Sequence, residues 1–133
     1  MKKVKWSDKF KVNIEELDKQ HETIFQFFNE IFDAAKAKNL SEVMIHTNSL
    51  IDYWKVHFKF EEELMRKEKY PDYEKHKSEH EDIKDKFLNI KEMEMTGFAD
   101  IMPTIVALLD FWLEDHMKTD DKRLGQFLKG KMH

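Results

Sequence analysis

Residues 43–65 read VMIHTNSLIDYWKVHFKFEEELM, and this stretch decides the fold class. Val43, Thr47, Leu50, Trp54, His57, Phe58, Glu61 and Met65 recur at spacings of three and four, the repeat that brings side chains to one face of an α-helix. No glycine or proline interrupts it. Ser41 is expected to cap this helix, which should end near Lys67.

Outward from it the same period returns three times. Leu17, His21, Ile24, Phe25, Phe28, Phe32 and Ala35 mark a helix from about Glu15 to Lys38, broken at Asn39 and Leu40. Tyr73, His76, His80, Ile83, Phe87 and Ile90 mark another. Pro71 is expected in its first turn, where a missing N–H is tolerated, and Gly97 as its stop. Ile101, Ile105, Leu108, Leu109, Trp112 and His116 mark a fourth, beginning around Asp100 to Pro103. Asp120 to Lys129 reads as a short final helix that packs Leu124, Phe127 and Leu128. The residues before Glu15 lack a period and read as an extended arm anchored by Trp6 and Phe10.

Long helices with short connections predict an all-α, up-down-up-down antiparallel four-helix bundle with an N-terminal arm and a short C-terminal helix. A chain of 133 residues, 41% hydrophobic, suits one domain over residues 1–133. Only 3 glycines and 2 prolines leave too few turn residues for a β-sandwich or barrel. A net charge of −4 argues against nucleic-acid binding. The longest apolar run, Ile105 to Leu109, is far short of a membrane span. Lys2, Lys3 and Lys5 are followed by Asp8, Glu15 and Glu16 without an apolar segment, so no signal peptide is expected and the location is read as cytoplasmic. With no cysteine, any metal must be held by nitrogen and oxygen.

Histidine and carboxylate on apolar stripes are costly unless paired. Singly, each has an ordinary reading: His21 as a hydrogen-bonded core residue, His57 with Glu61 as a helix-face pair, His76 with His80 as surface imidazoles. Alternating helix direction brings His21, His57, His76, His80 and His116 to one end of the bundle, within a few turns of a common level. A metal site explains them together. Asp121 lies five residues after His116, about 140° round an ideal α-helix. Both can face one metal only if the helix bulges or breaks between them. Otherwise Asp121, with Asp120, charges the start of the last helix, and periodicity leaves the two readings open. His46 lies about 16 Å along the helix from His57 and reads as a rim residue; His133 is terminal.

Five imidazoles with one or two carboxylates exceed one tetrahedral zinc and are too nitrogen-rich for calcium or magnesium. Two transition ions fit, iron foremost, with manganese or cobalt as alternatives. If two carboxylates bridge, the histidines divide three to one ion and two to the other, which keeps an open position. The Glu-x-x-His motifs of ferritin-like sites, the His-Glu-x-x-His of zinc proteases, phosphate loops and nucleophile elbows are absent from the chain. A site rich in neutral imidazole favours reversible oxygen chemistry over oxygen cleavage.

His21, then His57-Phe58-Lys59-Phe60-Glu61-Glu62-Glu63-Leu64-Met65, Tyr70-Pro71, His76-x3-His80 and His116-x4-Asp121 together resemble the hemerythrins, particularly the bacterial single-domain ones. The likeness runs from Trp6 through Leu17-Asp18-Lys19-Gln20-His21 to the last helix. It departs at Asn13, where bacterial members often carry glycine. The resemblance implies a non-haem di-iron centre with an oxo or hydroxo bridge. His76, His80 and His116 would hold one iron and His21 and His57 the other, bridged by Glu61 and Asp121. It further implies that oxygen binds the open iron as a hydroperoxide, in a pocket lined by Ile24, Trp112, Leu113 and Met117. Phe25 and Phe58 adjoin that pocket by helical spacing, or are ordinary core.

The expected function is reversible O2 binding for storage, transport or delivery, not catalysis, with an oxygen-accepting protein as candidate partner. The rivals are a di-iron enzyme reducing peroxide or nitric oxide or oxidising ferrous iron, an oxygen or iron sensor acting through a separate partner, and a zinc-stabilised bundle.

Overall fold

A computed structural model describes residues 5–93 and 97–130. Glu94 to Thr96 and His133 lie outside the described residues. The elements are a 3₁₀ turn (Asp8–Phe10), α1 (Glu15–Lys36), α2 (Leu40–Lys67), α3 (Tyr73–Glu92), α4 (Phe98–Asp110), a π-helical segment (Phe111–Asp121) and α5 (Lys122–Lys129). Among the described residues there is no strand, and the all-helical bundle expected from periodicity is the architecture observed.

Helix ends differ from the sequence reading where backbone geometry intervenes. Lys38 takes a left-handed φ of 54°, so α1 stops at Lys36 and not at Lys38. Asn39 then sits in the extended conformation an N-cap requires, and its side chain accepts a hydrogen bond from the Glu42 N–H at 3.1 Å. Ser41 therefore lies inside the first turn and caps nothing. Lys69, at φ 56°, makes the next reversal; Pro71 stands in that turn, before the N-cap Asp72, and not inside α3. Gly97, at φ 103°, is the N-cap of α4 and not the stop of α3, a backbone value that glycine accepts without steric cost. The short C-terminal helix is not separate: α4, the π segment and α5 follow one another without a break.

Packing divides the interior into two apolar bodies. The larger is built on stacked and edge-on aromatic rings from α1, α2, α3 and the π segment. Phe28 of α1 meets Trp54 of α2 at 6.0 Å, Trp54 meets Phe87 of α3 at 4.9 Å, and Trp112 of the π segment meets Phe28 at 5.4 Å. Near the end of α1 the buried side passes to Ile31 and Ala34, leaving Phe32 and Ala35 half-buried. There α1 faces α2, its most extensive partner, across a short connection. The smaller body joins Val12, Ile14, Leu17, Met65, Tyr70, Leu124 and Leu128.

The arm connects both. Phe10 is buried and packs edge-on to Phe25 at 4.8 Å; Trp6 packs on Phe25 at 5.1 Å. The Val12 and Asn13 N–H groups donate to the two oxygens of Asp18 at 2.8 and 3.1 Å. Asn13 takes φ 65°, a left-handed value that glycine adopts freely and asparagine better than most residues. That accounts for the departure noted at this position. Beyond it, the Val12 carbonyl lies 2.5 Å from where a Cβ on Gly125 would stand, so α5 receives the arm only through glycine.

Candidate metal centre

Between the two apolar bodies lies a polar layer. Along α1 the order is Leu17, His21, Ile24; along α2 it is Trp54, His57, Glu61, Met65; along α3, Tyr73, His76, His80, Ile83; in the last run, Trp112, His116, Asp121, Leu124. Pairs four apart on α2 and α3 share a helical face. His116 and Asp121 are five apart, and the π segment joins them: its i→i+5 bonding brings a residue five positions on to nearly the same side. The bulge that a shared metal would require is present, and it extends over 11 residues.

The seven side chains converge and are at most 3% exposed. Glu61 Oε1 lies 2.5 Å from His76 Nε2, 3.3 Å from His80 Nε2 and 4.0 Å from His116 Nε2; Glu61 Oε2 lies 3.2 Å from His57 Nε2. Asp121 Oδ1 lies 3.0 Å from His76 Nε2 and 3.2 Å from His116 Nε2, and its Oδ2 lies 3.2 Å from His21 Nε2. Each carboxylate thus turns one oxygen to a group of three imidazoles and the other toward the remaining pair. Two overlapping donor sets result: Glu61, His76, His80, His116 and Asp121, and His21, His57, Glu61 and Asp121.

Both oxygens of Glu61 and of Asp121, Nε2 of His57 and His76, and both ring nitrogens of His21 have no hydrogen-bond partner among the described residues. So many buried unsatisfied groups would cost several kcal/mol. The residues present therefore fit a pair of transition-metal ions: nitrogen and oxygen donors, two sets, two shared carboxylates.

Protons take the place of cations when no metal is bound. Burial pushes Glu61 up, but the His76 charge and the close imidazoles of His57, His76 and His80 hold it well below the usual carboxylate range. Burial and the Glu61 charge push Asp121 up, and His116 and His21 outweigh them, leaving it depressed. Burial pulls His76 and His116 down, yet the facing carboxylates raise them to about 11 and about 9. His57 is the exception, lowered chiefly by burial against the pull of Glu61.

A second ring of polar residues, not identified from the sequence, holds the imidazoles from behind. His57 Nδ1 donates to Gln20 Oε1 at 2.5 Å, His80 Nδ1 to Glu62 Oε2 at 2.8 Å and His116 Nδ1 to Glu79 Oε2 at 3.3 Å. Asp120 lies 3.8 Å from the same His116 nitrogen. Burial pushes Glu79 up, but hydrogen bonds from His116 and Asp120 outweigh it and bring Glu79 down to about 2, while burial and Glu79 raise Asp120 to about 6. Each of these residues is the immediate chain neighbour of a member of the inner cluster: Gln20 of His21, Glu62 of Glu61, Glu79 of His80, Asp120 of Asp121. A polar residue beside each inner one was the available signal.

Among the expected pocket residues, Ile24, Phe25, Phe58, Trp112 and Met117 are buried and Leu113 is 9% exposed. Trp112 stands edge-on to His21 at 5.8 Å, on the two-imidazole side. Phe58 stacks on His80 at 4.0 Å, on the three-imidazole side. His46 is apart from the cluster, with Glu30 at 3.1 Å and Glu42 at 3.4 Å, as a rim residue should be.

Comparisons with known proteins agree with this layout. The family model of the hemerythrin HHE cation-binding domain matches residues 12–128. A bacteriohemerythrin of Methylococcus capsulatus is 34% identical over 119 residues, covering 90% of this chain and 91% of the relative. A myohemerythrin of Sipunculus nudus is 32% identical over 130 residues, covering 96% and 92%. A crystal structure of a hemerythrin point mutant superposes with a TM-score of 0.82 at 31% identity, covering 94% of this chain and 96% of that one.

Proposed function

The chain belongs to the hemerythrin family, and from that premise we propose that it is a di-iron protein that binds O2 reversibly, for storage, transport or delivery. The observation that carries the reading is the buried constellation of five imidazoles and two carboxylates, in which the oxygens of Glu61 and Asp121 and the inward nitrogens of His21, His57 and His76 make no hydrogen bond among the described residues. His76, His80 and His116 would hold one iron, His21 and His57 the other, and Glu61 and Asp121 both. A pair of irons supplies two electrons for reversible binding of oxygen.

The protein's own part is to orient, to stay dry and to hold protons away. Gln20, Glu62 and Glu79 fix the ring planes of His57, His80 and His116 and raise the basicity of the nitrogen that faces inward. The smaller apolar body closes the bundle end beyond the cluster. On the other side Ile24, Phe25, Trp112, Leu113 and Met117 make a dry wall. Such a wall withholds the water and protons that would release bound oxygen in reduced form. Phe58 adds a flat apolar cover to His80. No helix of the described chain is long and apolar enough to cross a membrane, and we read the compartment as the cytoplasm.

The test is metal analysis of the purified protein, then anaerobic reduction and exposure to air. About two irons per chain are expected, with an absorption band that appears with oxygen and disappears when oxygen is removed. Fewer irons would defeat the di-iron reading. A band that does not reverse, or steady turnover of peroxide or nitric oxide, would defeat the carrier in favour of an enzyme.

A further inference from the structure

A reversible oxygen carrier works only from its reduced state, and each escape of reduced oxygen leaves the metal pair oxidised. The cluster residues are at most 3% exposed, so a donor cannot touch them, and electrons must cross the surrounding side chains, where hydrogen-bonded groups give the shortest routes. The structure offers two short charged exits. From His116 Nδ1 the exit is Glu79, with a side chain 25% exposed, beside Asp120: an acidic mouth. From His80 Nδ1 it is Glu62, 2.8 Å away and 13% exposed.

The second exit opens into a cleft of about 370 Å³ on the α2–α3 face, lined by Lys55, Lys59, Glu62, Glu63, Arg66 and Lys84. Its charge is set by sequence spacing. Lys55, Lys59, Glu62, Glu63 and Arg66 follow one outer stripe of α2, and Lys84 reaches in from α3, with Lys77 also acting electrostatically on Glu62. Glu62 is turned inward to His80 and Lys84 pairs with Glu81 at 3.3 Å, so the outward face of the cleft carries Lys55, Lys59 and Arg66 against Glu63. This local excess of positive charge stands on a chain whose net charge is −4.

We propose that this cleft is the docking site of an acidic one-electron carrier protein, which re-reduces the oxidised metal pair through Glu62 and His80. The proposal rests on the di-iron reading above. Each docking event passes one electron from the reduced carrier to a ferric ion, and the carrier leaves oxidised by one electron. Two events return both irons to the ferrous state, with one solvent proton taken up by the bridging oxo group, which becomes hydroxo. Cationic side chains around a single exit steer an acidic donor to it and set its orientation, a contribution that ionic strength weakens.

The experiment is anaerobic stopped-flow reduction of the oxidised, iron-loaded full chain by a reduced plant-type two-iron two-sulfur ferredoxin, an acidic carrier, across ionic strengths. Iron content is measured first. The rate should fall with salt, and should fall about ten-fold or more in a Lys55→Glu/Lys59→Glu variant and in Arg66→Glu. A Lys36→Glu/Lys91→Glu variant, with the same change of net charge at the far end of the bundle, should reduce at nearly the parental rate. All of them should keep the parental iron content and oxygenated spectrum. Equal rates in all variants, or an equal fall in the far-end control, would overturn the docking site. An iron content well short of two per chain in the parent would instead overturn the di-iron reading on which it rests.

Discussion

The Nδ1–H of His80 donates to Glu62 Oε2 at 2.8 Å, from one helix to the next. Gln20 of α1 stands in the same relation to His57 of α2, and Glu79 of α3 to His116 of the π segment. Each of α1, α2 and α3 thus offers a residue to the centre and that residue's chain neighbour to an imidazole of the next helical run. Adjacent residues point about 100° apart on a helix, so one looks inward and the other sideways. Glu62→Ala should weaken metal binding by about 10- to 100-fold with the fold kept, as measured by chelator competition. Unchanged affinity would mean that His80 is oriented by packing against Phe58 alone.

Glu61 turns its two oxygens to different groups of imidazoles. Glu61→Ala should therefore lose both metals together, whereas loss of a residue serving one ion should leave a partly loaded protein. His46→Ala, remote from the cluster, should leave metal content unchanged and stability within about 1 kcal/mol, because its ion pairs are exposed. Full metal retention in the Glu61 variant would remove the bridging assignment.

Metal-free protein should have a stability maximum near neutral pH. Glu61 and Asp121 are depressed, so their contribution is present above the ordinary carboxylate values and is lost as pH falls. His57, lowered by burial, adds to the loss below 6.5. His76 and His116 are raised to about 11 and about 9; what they contribute is complete below 6.5 and disappears as pH rises through those values. With metal bound the imidazoles are already deprotonated, so the alkaline decline should vanish while the acid one remains. Denaturation midpoints from pH 4 to pH 10, with and without chelator, check this; a metal-free midpoint that keeps rising above about pH 8 would contradict it.

The bundle and its inner cluster were legible because a period of 3.6 and the repeated placement of His and Glu on apolar stripes are properties of local sequence. Helix ends were less so. Asn39 won the cap over Ser41 because Lys38 turns left-handed, and nothing in the order of side chains announces a φ of 54°. The outer ring was missed for another reason: Gln20, Glu62, Glu79 and Asp120 look like solvated polar residues of a helix surface until a neighbouring helix is beside them. Asp121 was undecided on periodicity because the α-helix was the wrong ruler for a π segment.

Gly125 is fixed by a close approach instead of by its backbone angles. A Cβ there would stand 2.5 Å from the Val12 carbonyl oxygen and 2.8 Å from its Cβ. Helix propensity alone favours alanine by about 1 kcal/mol, but the clash is with backbone, which gives little. Gly125→Ala should destabilise the protein by roughly 1–3 kcal/mol by lifting the arm off α5, and should raise protease sensitivity before Glu15. A stabilised variant would mean that the arm moves aside at no cost.

The π segment reconciles two registers, and this can be tested by shortening it. Upstream, Trp112 and His116 must face inward; downstream, Leu124 and Leu128 must reach the smaller apolar body, where both are fully buried. Deleting the exposed Thr119 would place His116 and the aspartate four apart, a spacing that an ordinary α-helix already aligns. The local reason for a π-helix would then be gone. If the wide turn relaxes to α, circular dichroism should show no loss of helix at low temperature and metal binding should survive in part. The cost falls on α5, where the change of register displaces the two leucines from Val12, Leu17 and Met65. Burial of each is worth about 1.5–3 kcal/mol, so a fall in stability of several kcal/mol is expected, together with loss of arm protection. Unchanged stability would show that α5 slides to restore its contacts, and that the π segment serves the centre without governing the register of the end cap.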